Sequence, residues 1–125
     1  MQYVAARTAG VSRQAEAVGL TRGEAADFKP ELLTHEKENA LLKSLNEYPD
    51  VVARSAELRE PHHVARYLEK VAGDYHRFYS ECRIKPQGDE EITETHRARL
   101  WLNDATRTVI ANGLGLLGVS APERM

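Results

Sequence analysis

From Val64 the apolar positions fall at Val64, Tyr67, Leu68, Val71, Tyr75, Phe78 and Tyr79. This is the i, i+3, i+4, i+7 spacing of one buried helical face, sustained over several turns. Glu60-Pro61 marks its start, because proline fits the first helical turn, where its missing N–H has no partner to lose. The stripe is expected to end near Cys82, ahead of the breaker cluster Lys85-Pro86-Gln87-Gly88-Asp89. A second long helix is predicted from about Thr93 to Leu116, with Ala98, Trp101, Leu102, Ala105 and Val109 inward. Thr93 suits its N-cap, and Glu94 complements the positive end of its dipole. Trp101, its largest apolar group, reads as core. Asn112-Gly113 is expected to relax the end of this helix so that the tail folds back, with Gly118 as a left-handed cap.

Two shorter helices are predicted between residues 31 and 60. Thr34 caps the first, whose core face is Leu41, Leu42 and Leu45; Tyr48-Pro49 forces a restart, since a residue before proline avoids the helical region. Val51, Val52, Ala56 and Leu58 belong to the second. Residues 2–18 form another helix, with Tyr3, Val11, Ala15 and Val18 as its apolar set and Gly19 closing it. The loop 19–30 has no strong period, and no stretch alternates long enough to predict a strand. The fold class expected is all-α, a bundle of about five helices in one domain over 1–125. Its parts are a first helix (1–18), a loop (19–30), a helical bundle (31–118) and a tail (119–125).

Composition sharpens this picture by exclusion. Of the 125 residues 42% are hydrophobic and 29% charged, with a net charge of −2, which is the balance of a chain with a packed core rather than a disordered one. No apolar run approaches the roughly 18 residues that span a membrane, and no secretory segment follows Met1. The single cysteine excludes an internal disulfide framework and points to a reduced, cytoplasmic chain. A near-neutral charge also argues against a general nucleic-acid coat, so any RNA contact must be local. Residues 31–60 carry seven acids against four bases, whereas 1–29 and 93–125 each carry four bases against three acids. An anionic partner therefore meets the ends more comfortably than the middle.

Catalytic patterns are absent from the sequence. It holds no glycine-rich phosphate loop and no cysteine pair with metal-ligand spacing, and His35-Glu36 lacks the second histidine of a zinc-protease motif because Asn39 stands in its place. His62 and His63 are adjacent, so on a helix they diverge by about 100° and do not easily share a metal. Arg83 beside Cys82 could lower that thiol's pKa, but no histidine has the context of a general base, and a half-buried structural thiol is the expectation. No catalytic, cofactor or metal-binding residue is assigned.

The tail carries the strongest signal. Asn112-Gly113-Leu114-Gly115-Leu116-Leu117-Gly118-Val119-Ser120-Ala121-Pro122-Glu123-Arg124-Met125 resembles the C-terminus of arginyl-tRNA synthetases, which closes on N-G-L-x-L-L-G-V-x-x-P-x-x-M. Ala105-Thr106-Arg107, Tyr75-His76-Arg77-Phe78-Tyr79 and Gln2-Tyr3-x-x-Ala6-Arg7 follow the family's order and approximate spacing, so the resemblance covers nearly the whole chain. Leu58-Arg59-Glu60-Pro61-His62 and Arg97-Ala98-Arg99-Leu100-Trp101-Leu102 look most like actinobacterial members.

The resemblance implies the helical anticodon-binding (DALR) domain of a class I synthetase. A Rossmann catalytic domain would lie upstream, and the chain is expected to be an excised domain or truncated product. The partners implied are the anticodon loop of arginine tRNA and that catalytic domain, with ATP and Mg serving the parent enzyme and no cofactor in this segment. The tRNA-binding residues implied are Gln2, Tyr3, Arg7, Tyr79, Arg83 and Met125. Tyr79, a first-helix arginine and Met125 would surround an anticodon base, while Arg83 lies where some members carry a stacking tryptophan. One departure concerns the first motif: the family often reads Gln-Tyr-Ala-His-Ala-Arg, and this chain has Val4-Ala5.

Physical chemistry is compatible with that reading. Single-stranded loops are recognised by stacking splayed bases on aromatic or guanidinium planes. Tyr3 and Arg7, four apart, share one helical face. Tyr79 ends an apolar stripe and, on periodicity alone, reads as core sooner than as a base contact. Arg7 alone would be a plain surface arginine, and Met125 a frayed end. The alternative is a helical protein-interaction module of the same scaffold without tRNA binding. A monomer is expected.

Overall fold

The computed structural model describes residues 2–21, 23, 28–60, 62–82, 84 and 91–118. Five α-helices appear among them: α1 (Gln2–Ala17), α2 (Glu36–Asn46), α3 (Tyr48–Leu58), α4 (His62–Glu81) and α5 (Glu94–Leu116), with a 3-10 turn at Pro30–Leu32 before α2. The described residues contain no strand, and no helix among them is long and apolar enough to cross a membrane. The all-α bundle expected from the sequence is the fold observed.

The helix ends follow local chemistry. α1 closes in a Schellman motif: Gly19 is left-handed (φ 80°), its N–H donates to Glu16 O at 3.0 Å, and the Leu20 N–H donates to Ala15 O at 2.9 Å. α3 closes the same way on a residue with a Cβ, Arg59 (φ 55°), with Arg59 N–H to Ala56 O at 3.3 Å and Glu60 N–H to Ser55 O at 3.1 Å. The cap of α2 is His35 rather than Thr34. His35 Nδ1 accepts from the Lys37 N–H at 3.0 Å, and Glu38 accepts from the His35 N–H at 2.8 Å. A capping box needs its acid three residues on, which His35 has in Glu38 and Thr34 lacks. Thr93 caps α5 as expected, with His96 as the reciprocal partner. Gly118 is left-handed (φ 77°), as expected of a cap.

α4 and α5 form the centre, α1 lies mainly on α5, α2 packs on both α4 and α5, and α3 packs on α4. The α4 stripe is buried from Val64 through Phe78, and Leu41, Leu102 and Ile110 close around it. α5 is enclosed on several sides, so its inward face is wider than the stripe expected. Leu100, Ile110 and Leu114 are buried, and Trp101, Ala105 and Val109 are half-buried, Trp101 against Phe28 with ring centroids 5.7 Å apart. Tyr3 and Val18, expected among the apolar set of α1, are exposed, as are Ala56 and Leu58 of α3. Gly113 does not relax the helix end. It lies inside α5, where an added Cβ would fall 2.5 Å from Leu68 Cδ2, and its missing side chain lets α4 and α5 approach.

Polar groups inside the bundle are paired. Glu38 is 1% exposed and accepts from Arg99 Nε at 2.5 Å, joining α2 to α5. Tyr75 Oη donates to Asn103 Oδ1 at 2.6 Å, and Asn103 Nδ2 donates to Thr8 O at 3.0 Å. Ser12 Oγ donates to Asp104. The Asn103–Thr8 and Ser12–Asp104 bonds set the position of α1 along α5, where an apolar contact alone would leave it free to slide.

Candidate functional site

α4 is amphipathic up to its last turn, and there its stripe reaches the edge of the bundle. Tyr79 is consequently 38% exposed although it continues the period of Tyr75 and Phe78. The start of α1 crosses the same edge. Tyr3 (46% exposed) and Arg7 stand one turn apart on its outer face, while Val4, Ala5 and Ala6 face the core. The Arg7 guanidinium carbon lies 4.6 Å from the Tyr79 ring centroid and 5.0 Å from that of Tyr3, and the guanidinium donates a hydrogen bond to Tyr3 Oη. One cation is thus shared by two π faces. Tyr79 is backed by Tyr75, with centroids 6.1 Å apart. Burial by itself would lower the Arg7 pKa, but hydrogen bonding and charge interaction with Tyr79 and Tyr3 outweigh it and raise it, so the group is a permanent cation.

Two cavities flank this pair. One of about 370 Å³ lies between α1 and α4, walled by Tyr3, Arg7, Ala72, Gly73, His76 and Tyr79. The other, about 400 Å³, lies along α1 beside Arg7, Gly10, Arg13, Gln14 and Tyr79. Both are open to solvent at the bundle edge. The surfaces offered are aromatic faces, guanidinium planes and the amide of Gln14, which suit flat heterocycles with polar edges.

Of the six residues the sequence singled out, the structure brings Tyr3, Arg7 and Tyr79 together. The Gln2 side chain, Arg83 and Met125 lie outside the described residues. Sequence reasoning missed Arg13, Gln14, Gly73 and His76. Gly73, His76 and Tyr79 follow at three-residue spacing along α4, but which residues wall a cavity depends on how α1 crosses that helix. Ala5 is buried at 4%, so the position where the family often has histidine faces the core and not the Tyr3–Arg7 surface. Cys82, expected to be half-buried, is fully buried, and burial pushes its thiol up to about 11. It is a structural thiol.

Comparison with known proteins gives the family. The model of the DALR anticodon binding domain family matches residues 1–125. The chain is similar over its full length to the arginine–tRNA ligases of Clavibacter sepedonicus (62% identical), Kineococcus radiotolerans (61%) and Pseudarthrobacter chlorophenolicus (58%). It spans 22–23% of the length of these relatives. With a family match over every residue and an all-α bundle beneath it, the chain belongs to the DALR anticodon-binding domain family.

Proposed function

We propose that the chain is the anticodon-reading domain of an ATP-dependent arginine–tRNA ligase and holds the anticodon loop of arginine tRNA at the Tyr3–Arg7–Tyr79 edge. The observation that carries this is the Arg7 guanidinium held between two exposed tyrosine rings, with a cavity on either side. Loop bases are recognised when they leave their own stack for an aromatic or guanidinium plane, and a flipped base entering either cavity meets both. The tRNA-binding set comprises Tyr3, Arg7 and Tyr79 together with Gln2, Arg83 and Met125, of which Met125 supplies the apolar lid. The base that meets Tyr79 and Arg7 is the middle cytosine of the arginine anticodon.

Amino-acid activation and transfer, with ATP and magnesium, belong to a separate catalytic domain of the same cytoplasmic protein. These 125 residues hold no glycine-rich loop to cradle a triphosphate, and the segment acts as a monomer. A filter-binding titration of the chain tests the reading. Arginine tRNA is expected to bind more tightly than a tRNA of another specificity, and equal affinity for the two would overturn it.

A further inference from the structure

The α3–α4 corner carries a cluster that anticodon reading does not use. Consecutive residues on a helix diverge by about 100°, yet His62 and His63 bring both side chains to one carboxylate. His62 Nε2 lies 3.5 Å and His63 Nε2 2.8 Å from Glu60 Oε2, and the three candidate ligand atoms are all within 4.8 Å of one another. The rings lie against each other with centroids 4.4 Å apart. The backbone beneath them is fixed: Glu60 O accepts from Ser55 Oγ at 2.8 Å and from the His63 N–H at 3.3 Å, while the Glu60 N–H is bonded to Ser55 O. The ligands therefore project from a corner whose shape is already set.

We infer that Glu60, His62 and His63 form a zinc(II) site at the α3–α4 corner. Two imidazole nitrogens and a carboxylate oxygen are a donor set that zinc accepts in tetrahedral sites whose fourth position holds water. Bonds of about 2.0–2.1 Å place tetrahedral ligand atoms about 3.4 Å apart, and the observed separations reach that value with small side-chain rotations. All three side chains are partly exposed, so the ion enters from solvent without the fold opening. Magnesium, which prefers an all-oxygen octahedron, is a poor match. The bound ion ties the C-terminal end of α3 to the first turn of α4. It sits 16 residues from Tyr79 along α4, roughly 24 Å at a rise of about 1.5 Å per residue, so it stands apart from the proposed RNA site.

Calorimetric titration of the tag-free chain with zinc chloride at pH 7.5 tests this. One site of micromolar affinity is expected, with no heat from magnesium chloride. His62→Ala and His63→Ala should each weaken zinc at least tenfold, and Glu60→Gln several-fold, while His76→Ala leaves it unchanged. Thermal unfolding gives a second reading, in which zinc raises the Tm of the wild-type chain by a few degrees and not that of the double variant His62→Ala/His63→Ala. Absence of saturable one-to-one binding, or wild-type zinc affinity in both histidine variants while circular dichroism shows them folded, overturns the site.

Discussion

Tyr79 has two neighbours that pull its role in different directions. Tyr75 beneath it makes it an extension of the core, and Arg7 above it makes it half of a cation–π pair. Substitution separates the two. Tyr79→Ala is expected to weaken arginine-tRNA binding by about 1–3 kcal/mol, the scale of one stacked base. The loss should be much smaller for a tRNA substituted at the middle anticodon base. Tyr79→Phe keeps ring and packing and should retain most affinity. Arg7→Ala should weaken binding similarly and, if the guanidinium reaches a phosphate, flatten the salt dependence. An alanine variant that stays folded and binds both tRNAs as wild type does would leave Tyr79 purely structural. Arg59 presents a different residue-scale case, a left-handed cap with a Cβ where α1 uses glycine. Arg59→Gly should stabilise the chain by up to about 1 kcal/mol, because glycine adopts that conformation without steric cost. Urea denaturation with an unchanged m-value checks it.

Between elements, polar bonds decide register where apolar surfaces would not. Asn103 on α5 receives Tyr75 of α4 and donates to Thr8 of α1, so one amide joins three helices. Asn103→Leu keeps the approximate volume but strands the buried Tyr75 hydroxyl, at about 1–3 kcal/mol for a group left unpaired. Adding Tyr75→Phe should recover part of that loss, since the hydroxyl is then gone as well. Equal stabilities for the single and double variants would show that the Tyr75–Asn103 bond contributes nothing. Such bonds also explain what the hydrophobic pattern hid. Asn103 on α5 and Glu38 on α2 are buried because each has a partner far away in the sequence, whereas Thr106 and His96 are paired within their own helix, with Leu102 O and Thr93.

Across the whole molecule, the legible part of the fold was the part governed by a single face. α4 buries one stripe, and its period identified every core residue from Val64 to Phe78. α5 is enclosed by three helices, so Leu100 and Ile110 escaped a one-stripe reading and Trp101 proved half-buried. The Tyr3–Arg7 pairing was legible from a spacing of four, whereas Tyr79 entered through the family resemblance, since its stripe alone reads it as core. The cavity walls at Gln14, Gly73 and His76 were not, because they depend on how α1 crosses α4. Burial also leaves a global signature in pH. Desolvation raises the pKa values of Cys82, Tyr67 and Tyr75, Cys82 to about 11, so in each case the unfolded chain gives up its proton first. This contribution is complete below about pH 9, where the unfolded thiol is still protonated, and declines as pH rises towards 11. The urea midpoint should therefore fall between pH 9 and 10.5, with a shallower fall in Cys82→Ala.

The crossing of α1 over the end of α4 has a consequence for how affinity is to be understood. Tyr3 and Arg7 sit on a helix whose inner face, with Val4, Ala5, Ala9, Val11 and Ala15, is buried mainly against α5, where Asn103 and Asp104 also bond to it, so the recognition surface requires α1 to be docked. Apparent affinity is the intrinsic affinity multiplied by the docked fraction. A mutation at Ser12, whose side chain points to Asp104 rather than to the Tyr3–Arg7 pair, can then weaken RNA capture by undocking alone. Reciprocally, bound RNA should slow amide hydrogen exchange throughout α1, including turns that the nucleotide never touches. Protection confined to residues 3–7 would mean that α1 is already permanently docked. The proposed RNA edge is thus a property of how α1 docks on the bundle and not of either helix alone.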